Sequence, residues 1–133
     1  MDKKCLVLII EDNQDFQDLY GTTAEMAGYE VEHIYDGNDA LERLEHEPIP
    51  TIILLDARLP SANGFEILQA TRSKKGWSKV PIYILTADIR ATQPFRTSMP
   101  QAVRADGIIE KGVEAISRLR ELFARLRNET DNQ

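Results

Sequence analysis

The chain has 133 residues, one domain's worth, with 42% hydrophobic residues, 29% charged residues and a formal net charge of −6. The acid excess excludes a surface for non-specific nucleic-acid binding, which needs basic patches. A single cysteine, Cys5, excludes a disulfide scaffold and fits a reducing compartment. No apolar stretch approaches the roughly 20 residues of a membrane span. The N-terminal Met1-Asp2-Lys3-Lys4 leads into a short apolar segment that ends in acids, unlike a secretory signal. The chain therefore reads as cytoplasmic, with no membrane and no direct nucleic-acid partner.

The first apolar run, Cys5 to Ile10, is closed by the acidic pair Glu11-Asp12. Asn13 can cap the helical segment that follows. Its spacing places Phe16, Leu19, Tyr20, Thr23 and Ala27 on one face, and Gly28 supplies a stop. Glu30 to Ile34 alternates apolar with polar, which marks an edge strand. Asn38 to Glu47 reads as a second helix carrying Ala40, Leu41 and Leu44. Thr51 to Leu55 is a third strand, closed by Asp56. A third helix carries Phe65, Leu68, Ala70 and Thr71 and ends at Lys74-Lys75-Gly76.

Val80 to Leu85 is a fourth strand, ended by Thr86. The segment from Asp88 to Arg104 should hold a fourth helix, but Pro94 and Pro100 make it short, late or split. Gly107 to Ile109 is the fifth strand, with Lys111 just beyond it. The last helix places Val113, Ile116, Leu119, Leu122, Phe123 and Leu126 at helical spacing. Arg118, Arg120, Arg125 and Arg127 take its other faces. Residues 1–127 form the domain, and 128–133 read as a polar tail expected to fray.

Continuous apolar runs belong to strands covered on both faces. The alternating order gives an α/β fold: a five-stranded parallel sheet of flavodoxin-like order 2-1-3-4-5, helices on both faces, the fourth helical segment irregular. Glu11, Asp12, Asp56, Thr86 and Lys111 then share one end of the sheet. Three crowded carboxylates repel unless compensated, and Mg²⁺ accepts such hard oxygen ligands. A carboxylate there can take a phosphoryl group as an acyl phosphate.

The chain resembles the receiver domain of bacterial two-component response regulators over residues 4–127, in the manner of single-domain chemotaxis regulators. The likeness rests on Leu8-Ile9-Ile10-Glu11-Asp12, on Gly28-Tyr29-Glu30-Val31 with Asp36-Gly37-Asn38-Asp39-Ala40-Leu41, on Leu55-Asp56-Ala57-Arg58-Leu59-Pro60-Ser61-Ala62-Asn63-Gly64-Phe65-Glu66, on Ile84-Leu85-Thr86-Ala87 and on Asp106-Gly107-Ile108-Ile109-Glu110-Lys111. The resemblance implies that Asp56 is the phosphoacceptor. It implies Mg²⁺ as cofactor, held by Glu11, Asp12, Asp56 and the backbone carbonyl of Arg58. Thr86 is the implied switch hydroxyl and Lys111 the phosphoryl-contacting lysine, while Arg58 and Asp88 fall at positions that tune dephosphorylation. The implied function is a phosphorelay receiver, not an enzyme beyond its own aspartyl phosphorylation and dephosphorylation. Its implied partners are a sensor histidine kinase or phosphotransfer protein and an output protein, and a homodimer is allowed.

Three departures from the family pattern stand out. Gly112 follows Lys111 where a proline joined by a cis bond is usual, and a cis bond before glycine would cost ~3 kcal/mol, so a trans bond is expected. Ile108 replaces the switch aromatic. The interval from Thr86 to Lys111 is 25 positions, slightly long for the family. These departures motivate one rival, a receiver-like interaction module independent of phosphorylation. A second rival, an aspartate-nucleophile phosphohydrolase, would want an acid where Arg58 stands.

Overall fold

The computed structural model describes residues 5–59, 64–88 and 105–131. Five parallel strands, β1 (Cys5–Ile10), β2 (Tyr29–Ile34), β3 (Ile52–Asp56), β4 (Ile82–Thr86) and β5 (Gly107–Glu110), form one sheet of order β2-β1-β3-β4-β5. The four described helices are α1 (Gln14–Met26), α2 (Gly37–Arg43), α3 (Gly64–Ser73) and α4 (Ala115–Asp131). The flavodoxin-like order and the edge position of β2 are as the sequence indicates. The expected irregular fourth helix, with Pro94 and Pro100, lies outside the described residues.

The period of two in each strand sorts side chains between two cores. In β1, Leu8 and Ile10 join a cluster with Ala40 of α2, Leu44 just beyond its end, and Ile67 and Leu68 of α3. Cys5, Val7 and Ile9 join the opposite cluster with Tyr20 and Ala24 of α1 and Leu119 and Phe123 of α4. Both sets are apolar because helices cover both faces, and this is why the central strands read as unbroken runs. Trp77 is buried in the first cluster, with the Arg43 guanidinium 5.5 Å from its ring centroid.

Local chemistry sets the helix ends. Asn13 Oδ1 accepts from Phe16 N at 2.9 Å, the expected cap of α1. Beyond α1, Gly28 adopts φ +90°, a conformation that a side chain would strain. Arg127 closes that turn by donating to Ala27 O at 2.8 Å.

The structure corrects several sequence expectations. Leu19 is 46% exposed and Val113 97% exposed, so neither belongs to a core face. α1 instead turns Gln17 inward, one-half turn from Leu19. Helix α2 runs from Gly37 to Arg43, capped by Asp36, and stops short of Glu47. Strands β3 and β4 begin at Ile52 and Ile82 rather than at Thr51 and Val80. Helix α4 continues through Asp131, past the expected tail boundary at 128, because no glycine or proline interrupts it. Thr130 Oγ1 donates to Leu126 O at 2.9 Å, and Arg127 lies 4.0 Å from Asp131 one turn on.

Candidate phosphoacceptor and metal site

The order 2-1-3 reverses the direction of winding at β1, and ligands gather at the carboxyl ends of strands beside such a switch point. Glu11 leaves the end of β1 and Asp56 ends β3 there. One carboxylate oxygen from each of Glu11, Asp12 and Asp56 lies within 4.8 Å of the others. Glu11 is fully buried, Asp56 is 6% exposed and Asp12 is open to solvent. Thr86 ends β4 next door, and Lys111 follows β5.

Lys111 is drawn into this pocket from both sides. Its backbone N–H donates to Thr86 O at 2.7 Å. Its ammonium lies 2.5 Å from Glu11 Oε1 and 3.5 Å from Asp56 Oδ2. The lysine therefore reaches the site with Gly112 after it and a trans bond between them, the cis bond among the described residues being Glu47–Pro48. The second oxygen of Glu11 accepts from Asn13 N at 3.2 Å.

Asp56 is held by the turn that follows it. Arg58 N donates to Asp56 Oδ1 at 3.1 Å, which keeps the Arg58 backbone at the site. Gly64 opens α3 against this turn. A Cβ there would meet Asp56 O at 2.8 Å, so glycine is required for the close approach. Thr86 Oγ1 donates to Asp88 O at 2.8 Å and accepts from Asp88 N at 3.1 Å. Ile108 is partly buried against the first core cluster.

Sequence reasoning missed Gln17. It is fully buried, and its Nε2 donates to Ile9 O at 2.8 Å, Ile34 O at 2.9 Å and Glu11 O at 3.0 Å. These three carbonyls fix the amide orientation, so Oε1 faces His33 Nδ1 at 2.5 Å and that nitrogen carries the proton. One side chain thus ties α1 to the ends of β1 and β2, just where Glu11 emerges. A polar residue one position after Phe16 gave no periodic signal in the sequence.

Burial pushes Glu11 up to about 7, Asp56 adds to the push through hydrogen bonding and charge, and the Lys111 hydrogen bond opposes it. The folded chain then holds a proton that the unfolded chain sheds near 4.5. Stability from this group is fully present below 4.5 and declines as pH rises to about 7. The loss is up to about 3 kcal/mol, with no further fall above that window. Urea melts in chelator across this range should show the decline, and a flat profile would contradict it.

A family pattern for the response regulator receiver domain matches residues 7–125. The chain belongs to that family. It is 28% identical to the chemotaxis response regulator CheY4 of Vibrio cholerae, covering 93% of this chain and 99% of that one at a TM-score of 0.77. It is 25% identical to the receiver domain of sensor histidine kinase PA1611 from Pseudomonas aeruginosa PAO1, a structure with a magnesium ion coordinated in the active site cleft. That match covers 95% of this chain and 99% of that one, with a TM-score of 0.78. A CheY-like receiver domain protein from Methanospirillum hungatei JF-1 shares the fold at 21% identity, 98% and 100% coverage and a TM-score of 0.77. Receiver domains serve two-component systems, bind Mg²⁺ in an acidic pocket and interact with sensor histidine kinases and output proteins. In this receiver domain no helix among the described residues is long and apolar enough to cross a membrane.

Proposed function

We propose that this receiver domain accepts a phosphoryl group on Asp56 from a phosphohistidine and uses it to reset a protein-binding surface. The observation that carries this reading is the convergence of Glu11, Asp12, Asp56 and Lys111 at one sheet end, with Asp56 6% exposed and still reachable. An Asp56 carboxylate oxygen forms the new O–P bond as the P–N bond to imidazole breaks, and the leaving nitrogen takes a proton. The donor set is all hard oxygen, which fits Mg²⁺, with Glu11, Asp12, Asp56 and the Arg58 carbonyl as ligands. The bound ion supplies charge neutralisation for the phosphoryl oxygens. Lys111, already 3.5 Å from Asp56, adds a second countercharge.

Thr86 is the switch hydroxyl in this reading. Its present bonds to the Asp88 backbone must be exchanged for one to the phosphoryl group, and that exchange releases the backbone at Asp88. The change reaches a partner without an aromatic at position 108. The chain catalyses only its own aspartyl phosphorylation and dephosphorylation. It works in the cytoplasm, and its partners are a sensor histidine kinase or phosphotransfer protein on the input side and an output protein on the other.

The test is intact-mass spectrometry after incubation with a small phosphodonor and Mg²⁺. A single phosphoryl adduct that requires Mg²⁺ and vanishes in Asp56→Asn is the expected result. No adduct, under conditions that label a control receiver, would favour a phosphorylation-independent binding module. Metal affinity carries its own signature. Mg²⁺ competes with the proton on Glu11, so apparent affinity should fall about tenfold per pH unit below about 7. Calorimetric titration at pH 6 and pH 8 checks this, and equal affinities would remove Glu11 from the ligand set.

A further inference from the structure

The backbone of Lys111 is tied to Thr86, but the loop that follows it has open space around it. A Cβ at Gly112 would meet nothing within 4 Å, and Val113 beyond it is 97% exposed. The loop therefore does not press the lysine stem into place, and four flexible methylenes carry a strongly hydrated charge. Yet its side chain is only 9% exposed, and its ammonium lies inside the acidic pocket.

The geometry points to Phe16 as the positioning residue for Lys111. The ammonium stands 4.3 Å from the Phe16 ring centroid, well inside the range where a ring face attracts a cation. Phe16 is itself fixed. Its backbone N–H is bound by the Asn13 cap at 2.9 Å, in the first turn of α1. Its ring stacks on Tyr20, with centroids 5.6 Å apart and planes 15° from parallel. Tyr20 is 1% exposed in the core. A column of two rings thus rises from the core and ends on the lysine.

The ring does two things for the ammonium. It offers a favourable electrostatic face, and it keeps water from that side without taking a hydrogen bond. The donors of Lys111 are then spent on Glu11 and the Asp56 side of the pocket, where phosphoryl oxygens would arrive. This consequence rests on the phosphoacceptor reading. The placement of Lys111 by the ring does not.

Three full-length proteins test it: the wild type, Phe16→Leu and Phe16→Trp. Leucine keeps apolar bulk and loses the ring face, whereas tryptophan restores a stronger one. In the metal-free protein, the ε-methylene protons of Lys111 should be displaced by the ring current. The displacement should vanish in Phe16→Leu and return in Phe16→Trp. Adduct formation with phosphoramidate and saturating Mg²⁺ should slow about tenfold in Phe16→Leu and recover in Phe16→Trp. Undisplaced Lys111 protons in the wild type would overturn the proposal, even if Phe16→Leu failed to fold. So would a Phe16→Leu protein with wild-type shifts and rate. A wild type that forms no adduct would overturn the phosphoacceptor reading, and the proton shifts would still decide where Lys111 is held.

Discussion

At pH 9 in chelator, Lys111→Met should lower stability by about 3 kcal/mol, while at pH 5 it should cost little. The asymmetry follows from Glu11. Burial raises its carboxyl, Asp56 raises it further, and the Lys111 hydrogen bond is what lets it ionise near 7. Without the ammonium, the folded chain must either hold the proton to higher pH or bury an unpaired charge. Each extra pH unit of that window costs ~1.4 kcal/mol. At pH 5 Glu11 carries its proton in both proteins, so its share of the difference closes and only the longer contact to Asp56, at 3.5 Å, is lost. Urea melts at the two pH values decide the matter, and an equal deficit at both would assign the lysine a packing role alone. Saturating Mg²⁺ should restore much of the loss at pH 9, since the ion supplies the missing countercharge.

Gln17→Leu should cost about 3 kcal/mol at any pH between 5 and 8. The leucine fills a similar volume in the core, so the loss is not a cavity effect. It comes from buried carbonyls of Ile9, Glu11 and Ile34 that lose a shared donor. Ile34 O keeps a bond from Glu11 N at 2.9 Å, which limits the penalty there. His33 also loses its acceptor. Because Gln17 holds the backbone from which Glu11 projects, Mg²⁺ affinity should drop along with stability. A variant with the wild-type urea midpoint would show that these carbonyls find other partners.

The site was legible in the sequence because its members are polar residues that interrupt apolar strands. Glu11, Asp12, Asp56 and Lys111 each follow or end a run that has no other reason to stop, and the sheet order brings those ends together. Thr86 was placed by the same rule, while its bonds to Asp88 were not foreseeable from spacing. The misjudged residues have a common cause. Leu19 and Val113 were given to buried faces because apolar residues at helical spacing attract that reading, yet both are exposed. Gln17 was passed over for the converse reason. Periodicity weighs a residue by its polarity, and a buried amide that satisfies three carbonyls and a ring nitrogen has no hydropathy signature. Phe16 was assigned to packing, correctly as far as Tyr20, but nothing in the spacing tells which cation lies on its outer face. Pattern reasoning finds where side chains are buried and leaves open what they hold there.

The opposite end of the sheet has its own fastening. Asp106 Oδ2 accepts from Ile82 N at 2.7 Å and from Arg72 at 2.8 Å, while Asp106 N donates to Ile82 O at 2.8 Å. Arg72 also donates to Val80 O at 2.6 Å. The entry points of β4 and β5 and the end of α3 are therefore bolted to one another. From that bolt, β4 extends about 13 Å to Thr86 at ~3.3 Å per residue. Paired along its length with β3 and β5, the strand cannot pivot alone, so the bolt acts on register instead. By holding Ile82 against Asp106 it sets which residue of β4 stands opposite which residue of β5, and so the level at which Lys111 N meets Thr86 O. The alignment of the site is thus fixed in part by a carboxylate at the far end of the sheet.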